Sequence, residues 1–360
     1  MKKFLTFVII LSVFNSKNLV SQTSDWVFSG YADAYGAYYT DSVGIANYQK
    51  FPSVSPRSNQ FGLNVASLSA KYSSDRVRGI ITLHYCDIPR SAWSDKYNFI
   101  QEANVGIKLS KNLWLDGGFF RTHIGTEGLF PKENITSSVA LATFFEPYYE
   151  AGFKLSYSPS NNTAINLFIL NGYNIYEDNN KKKSLGTLIT YAVNDNINIG
   201  YDNYIGDDSP GSDSVSHTRF YNNVFLIFEK NKIKVVTGFD FCVQGNSDLS
   251  DSKKSATMFS GVFAIRYALI KKFAVYGRGE VYNDPDGILS GTFLNQNNTL
   301  TGLKIWGATL GLEYKPTENS YIRLEGRTLT ANESQKIFRW DHKNQNNRQE
   351  AMLNMGVTFP

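Results

Sequence analysis

LWLDGGFFRTHIGTEGLFPKENITSSVALATFFEPYYEAGFKLSY, residues 113–157, decides how the rest of the chain is read. At its start Leu113, Leu115, Gly117 and Phe119 fall on one face and Asp116 on the other. At its end Ala151, Phe153, Leu155 and Tyr157 oppose Glu150 and Lys154. Alternation at period two marks a strand with one apolar and one polar face. The excursion between the two strands, 121–148, is far longer than the roughly 2–5 residues of a hairpin loop, so it needs an architectural or functional reason. The stretch therefore predicts a barrel-wall hairpin whose loop folds towards a channel.

Outward from it, sixteen strands are expected. They run over about 26–39, 60–72, 76–86, 98–109, 113–120, 149–157, 164–171, 184–192, 197–205, 219–229, 233–242, 255–267, 273–282, 303–314, 320–330 and 351–360. Most approach the roughly 9–11 residues of a tilted membrane-spanning strand. The connectors alternate without exception between short, as at Ser73-Ser74-Asp75 and Asn194-Asp195-Asn196, and long, as at 40–59, 121–148 and 283–302. A transmembrane antiparallel up-and-down all-β barrel has this asymmetry, with short periplasmic turns and long extracellular loops. Strand 60–72 changes its apolar face near Ala66, and 219–229 is apolar on both sides, so bulges are expected in both. Aromatics beside both sets of connectors, among them Tyr72, Trp114, Tyr191, Tyr267, Tyr38, Tyr85, Tyr204 and Tyr282, suit interfacial girdles.

The ends agree with export. Met1 to Ser21 has Lys2 and Lys3 followed by an apolar run from Phe4 to Phe14, the layout of a signal peptide with cleavage near Ser21 or Gln22. The barrel domain is then 22–360. The chain carries +4, but residues 1–21 hold three lysines and no acid, which leaves about +1 afterwards and gives no footing for nucleic acid. Beyond the signal, no apolar run reaches the length of a spanning helix. Aromatics at 14% against charged residues at 19% fit apolar surface arriving in short pieces. Cys86 and Cys242 fit no metal spacing and read as isolated small apolar residues.

Several segments together, WVFSGYADAY (26–35), SDRVRG (74–79), DGGFFRTHIGTEG (116–128), NGYN (171–174) and YDNYIGD (201–207), resemble the β-barrel porin family called OmpL-like, found in Gram-negative outer membranes. Tyr173 stands where Trp is expected. The resemblance spans nearly all of the chain after the signal and implies an outer-membrane porin, with no substrate and no established site residues.

Chemistry is sparse. His84, His123, His217 and His342 are scattered, with no metal or nucleophile motif, so neither an enzyme nor a cofactor is expected. His123 with Ser137 or Ser138 is the one hydrolase pairing to consider. Asp284-Pro285-Asp286-Gly287 reads as a turn. Strand phase instead selects wall charges, a basic set of Arg76, Arg78, Lys108, Lys154, Arg278, Arg323 and Arg327 and an acidic set of Asp33, Glu102, Asp116, Glu150, Asp202, Glu280 and Glu325. Facing one another across a wet lumen they would set a transverse field; salt-bridged along the wall they would influence flux little. In the long loop Gly125 and Gly128 permit bends, and Arg121, His123, Glu127, Lys132 and Glu133 would be presented to the opening. Infolding is the favoured expectation because Val139 to Phe145 needs burial; the other is a lid over the rim.

The resulting expectation is a channel for passive diffusion of small hydrophilic solutes, set in outer-membrane lipid, with a homotrimer by analogy. The alternative is a surface-exposed binding or adhesion protein anchored by a closed barrel.

Overall fold

Strand follows strand in the order the alternation dictates. The computed structural model describes residues 25–41, 43–44, 47–51 and 54–359. The expected signal segment and the terminal Pro360 lie outside them. The barrel strands are β1 (Trp26–Tyr39), β2 (Gln60–Ser73), β3 (Val77–Tyr85), β4 (Ile100–Ser110), β5 (Leu113–Arg121), β6 (Tyr149–Ser160), β7 (Thr163–Leu170) and β8 (Ser184–Asn194). They continue with β9 (Ile197–Gly206), β10 (Arg219–Lys230), β11 (Ile233–Gln244), β12 (Ala256–Ile270), β13 (Phe273–Asn283), β16 (Lys304–Tyr314), β17 (Ser320–Ala331) and β20 (Asn347–Phe359). Between them the long connectors hold two small hairpins, β14 (Phe293–Leu294) with β15 (Leu300–Thr301), and β18 (Phe338–Trp340) with β19 (Lys343–Gln345). They also hold two short helices, α1 (Asp87–Ala92) and α2 (Leu141–Phe145). Among the described residues no helix is long and apolar enough to cross a membrane.

All neighbours pair antiparallel, and β1 closes the sheet on β20, from Gly30 opposite Phe359 to Tyr39 opposite Glu350. Closure satisfies every strand edge, which a sheet in hydrocarbon requires. At the seam the Phe359 ring lies over Gly30, where a Cβ would meet it at 2.0 Å. Side chains then separate by parity. Ala351, Leu353, Met355, Val357 and Phe359 of β20 face out, while Arg348, Glu350, Met352 and Asn354 face in. Outward Leu310 is 75% exposed, Phe61 92% and Val105 69%. Leaving such side chains in water forgoes about 1.5–3 kcal/mol each, so this exterior belongs in lipid.

Two expectations about irregularity part company. The break in β2 is real but sits at Asn64, where the β1–β2 register slips between Asp33 and Ala34. The bulged Asn64 turns inward and donates to Asp33 Oδ1 at 2.6 Å. In β10 no slip occurs against β9 or β11. Its two-sided apolarity has another cause: inward Ile227 packs with Val236 under Ile135 of the long loop. The girdle reading also needs correction, because Tyr204 and Tyr282 are buried inside and Trp114 lies under the Arg78 guanidinium, 4.5 Å away. Tyr38, Tyr85, Tyr191 and Tyr267 are exposed as expected.

Candidate functional site

The loop from Thr122 to Tyr148 leaves β5 and is fastened to the opposite wall by inward side chains of β13 and β17. Glu325 accepts the backbone N–H groups of Ser137 (2.7 Å) and Ser138 (3.0 Å), and Glu280 accepts that of Leu141 (2.7 Å). Arg323 donates to the carbonyls of Pro131 (2.8 Å), Thr136 (3.0 Å) and Asn134 (3.1 Å). Arg278, wholly buried, donates to the Ser138 carbonyl (2.6 Å) and the Thr136 hydroxyl (2.8 Å) and ion-pairs Glu127 (3.1 Å) and Glu280 (3.3 Å). A loop has few backbone partners of its own, and buried N–H and C=O groups must be paired. Alternating Arg and Glu on β13 and β17, the strands on either side of β16, supply donors and acceptors in turn. Of the apolar run, Val139 to Thr143 are buried, while Phe144 and Phe145 are half-buried.

A second set of contacts fixes the loop's near end. His123 shares its Nδ1 with Glu150 (2.8 Å) and its Nε2 with the Asn203 carbonyl (2.9 Å), and its ring stacks on Phe168, 4.2 Å away. Gly125 has φ +110° and its N–H reaches Asp202 at 3.4 Å. A Cβ there would meet the Glu146 carboxylate at 2.1 Å. Burial pushes the Glu127 carboxyl above the usual range, while Arg278 and the Ala140 N–H pull it back. Burial also raises Glu146 well above that range, with Asp240 and Asp202 adding to the rise.

The sequence-selected residues are distributed as follows. Arg78 pairs with Asp116 (2.5 Å), which Lys154 also approaches at 3.7 Å; Arg327 pairs with Glu280 (2.7 Å). Asp33 accepts from Tyr321 (2.5 Å) and Asn64. The Thr82 hydroxyl faces Glu102 at 3.4 Å, and Lys108 sits over the Trp114 ring. Arg121, the last residue of β5, grips Glu133 with two bonds of 2.6 Å, and exposed Lys132 lies 4.5 Å from the Tyr31 ring. Arg76 is different: it lies exposed in the turn before β3, because the strand begins one residue later than expected. Opposite signs thus neighbour one another along the wall. Ser137 and Ser138 turn their amides to Glu325 while both nitrogens of His123 are engaged elsewhere, so that pairing is not assembled. Asp284 takes the N–H groups of Ile288, Leu289 and Ser290, a turn as expected.

Sequence reasoning missed the β20 pair Arg348 and Glu350, 2.5 Å apart, because it began the last strand at 351. Carrying the alternation back from Met352 would have found it. It also missed Glu313, which holds both Arg323 (2.8 Å) and Arg266 (2.7 Å), and Asp240, which accepts from Asn223 at 2.6 Å.

On the turn side of the loop a cavity of about 500 Å³ runs along β2 to β8, lined by Lys71, Arg78, Arg121 and Lys154 against Glu102 and Asp116. A closed barrel of sixteen strands with an apolar exterior, a charged interior and a loop drawn inside defines an outer-membrane porin, a passive channel protein. The chain belongs to the family described as Putative beta-barrel porin-2, OmpL-like, whose pattern matches residues 26–359. Its fold is similar to that of the outer membrane channel DcaP of Acinetobacter baumannii, at 12% identity and TM-score 0.62 over 96% of this chain and 100% of that one. An anion-selective porin from Comamonas acidovorans is similar at 8% identity and TM-score 0.63, over 93% and 99%. OmpT, an outer membrane protein of Vibrio cholerae, is similar at 10% identity and TM-score 0.57, over 95% and 100%. No individually curated protein sequence matches.

Proposed function

We propose that the channel passes small hydrophilic solutes by diffusion, performs no covalent chemistry, and is narrowed by the loop Thr122–Tyr148. The observation that carries the proposal is the fastening of Pro131, Asn134, Thr136, Ser137, Ser138 and Leu141 to Arg278, Glu280, Arg323 and Glu325. It puts the loop's backbone against the wall across from its own root. The cavity on the turn side of the loop is lined by Lys71, Arg78, Arg121 and Lys154, which outnumber Glu102 and Asp116 there. That balance favours anions mildly, since charged linings are how pores select. Single-channel recording with a salt gradient tests both parts. Open steps with a reversal potential shifted towards chloride support the proposal; a silent bilayer, or cation preference, counts against it.

Removal of residues 1–21 on export and assembly of 22–360 as a homotrimer belong to the same proposal. The trimer rests on barrel size alone, and cross-linking of the protein in native membranes reads it.

A further inference from the structure

Four long connectors meet over the mouth of the barrel and leave an open bowl of about 550 Å³. Its floor is aromatic, with Phe51, Phe144 and Phe145 at its centre and Ile337 beside them; Lys50 and Lys336 stand on its rim. No carboxylate lines it, and neither lysine is ion-paired among the described residues. The volume lies in the range of small-molecule sites, which join apolar walls to a few placed polar groups. The floor is held in an unusual way. Phe51 sits at φ +56°, a conformation costly for a bulky L residue. Its ring stands edge-on to Phe144, 5.5 Å away, and to Phe145, 5.9 Å away. From below, the buried Arg348 guanidinium approaches the same ring at 5.8 Å and donates to the Lys50 carbonyl at 2.7 Å. Beneath Phe51 and Phe144 a slot of about 10 Å³ is bounded by Arg327 and Arg348. Backbone strain retained at a cleft is one of the marks of a binding site.

We propose that the bowl binds small aryl carboxylates at the outer mouth, the ring resting on the phenylalanine floor and the carboxylate meeting Lys50 and Lys336. An aromatic ring gains from edge and face contacts with Phe, and a carboxylate gains a charge-assisted hydrogen bond from a lysine that has no ion-pair partner among the described residues. A bare inorganic anion would leave the floor unused, and an aryl cation would meet the two ammonium groups. As a statement about transport the inference rests on the channel reading above, since a ligand on Phe51 and Phe144 would sit over the entrance; as a statement about binding it does not.

The test is calorimetric titration of the full protein in nanodiscs of zwitterionic lipid with phenylacetate, using acetate and phenethylammonium as comparisons. Phenylacetate is expected to saturate, with both comparisons at least about tenfold weaker, and the K50Q/K336Q double variant is expected to lose roughly tenfold. Both lysines are exposed, so the barrel should fold, and its heat-modifiable migration on gels confirms it. The proposal is overturned if phenylacetate shows no saturable binding, if phenethylammonium binds equally well, or if the double variant binds like the parent. In parallel, phenylacetate added on the loop side of a planar bilayer should reduce open-channel current. Saturable binding to a protein that shows no conductance steps would sink the channel reading and leave the bowl standing.

Discussion

Replacing Arg278 by Met removes the centre of the loop's attachment while keeping most of the side-chain volume. Arg278 makes bonds of 2.6 and 2.8 Å to Ser138 and Thr136 and pairs with Glu127 and Glu280, all out of contact with solvent. Glu280 keeps Arg327 at 2.7 Å and the Leu141 amide, so it stays compensated. Glu127 keeps only the Ala140 N–H and is left as a buried acid without its cation. Removing one partner of a buried ion pair costs about 3–5 kcal/mol. Because Arg323 and Glu325 still hold the loop, the lower end applies, about 3 kcal/mol, which moves the balance between docked and detached loop roughly a hundredfold towards detached. The assay is single-channel recording in symmetric salt, with folding checked by heat-modifiable migration on gels. The variant should show larger open steps, added current noise and a faster passage of larger neutral solutes into vesicles. Folded Arg278→Met protein whose step size, noise and solute uptake match the parent would refute the idea that this loop narrows the passage.

Raising pH should loosen the loop at its other end. Glu146 has its folded pKa raised by burial near Asp240 and Asp202, so the docked loop holds a proton that the detached loop releases more readily. Docking is therefore favoured at low pH and weakened as pH rises through the raised value; Glu146→Gln should flatten the rise of conductance with pH, as recordings across a pH series would show. Leu310→Arg puts a charge on the lipid face at a residue 75% exposed, and should cost about 2–4 kcal/mol of barrel stability in vesicle unfolding titrations, whereas Thr309→Ser on the inner face should cost far less. Gly30→Val places carbon into the Phe359 ring and should lower the yield of folded barrel, with partial recovery when Phe359→Ala is added, measured by folding into vesicles.

The wall was legible because one face of each strand must meet hydrocarbon and the other water, and parity records that at every second residue. Leu353, Met355, Val357 and Phe359 announce their strand without help from neighbours. Loop destinations follow no such rule. That Val139 and Leu141 needed burial was readable; that Glu325, 187 and 188 residues from Ser138 and Ser137, would receive their amides was not, since only the closed barrel brings β17 opposite the root of β5. The apolar inner face of β10 looked like an irregularity for the same reason, because Ile135, which covers Ile227, comes from another part of the chain. The wall charges were assigned to the inner face from phase alone, but their pairing along rather than across the lumen depends on register between strands. Arg76 and the Arg348–Glu350 pair were misplaced where strand ends were misjudged by one to four residues, the usual uncertainty at element boundaries.

The first strand finds its second neighbour only in the last. Asp33 receives Asn354 of β20 at 3.2 Å, and past it the Tyr31 hydroxyl meets that of Tyr321 on β17 at 2.6 Å. The ring therefore cannot be sealed until β20 has been made. Until then two unpaired edges and a greasy outer face are open to sticking to one another, so closure is a late step. A version truncated before β20 would lack its zipper tooth and should accumulate as aggregate rather than as a smaller pore.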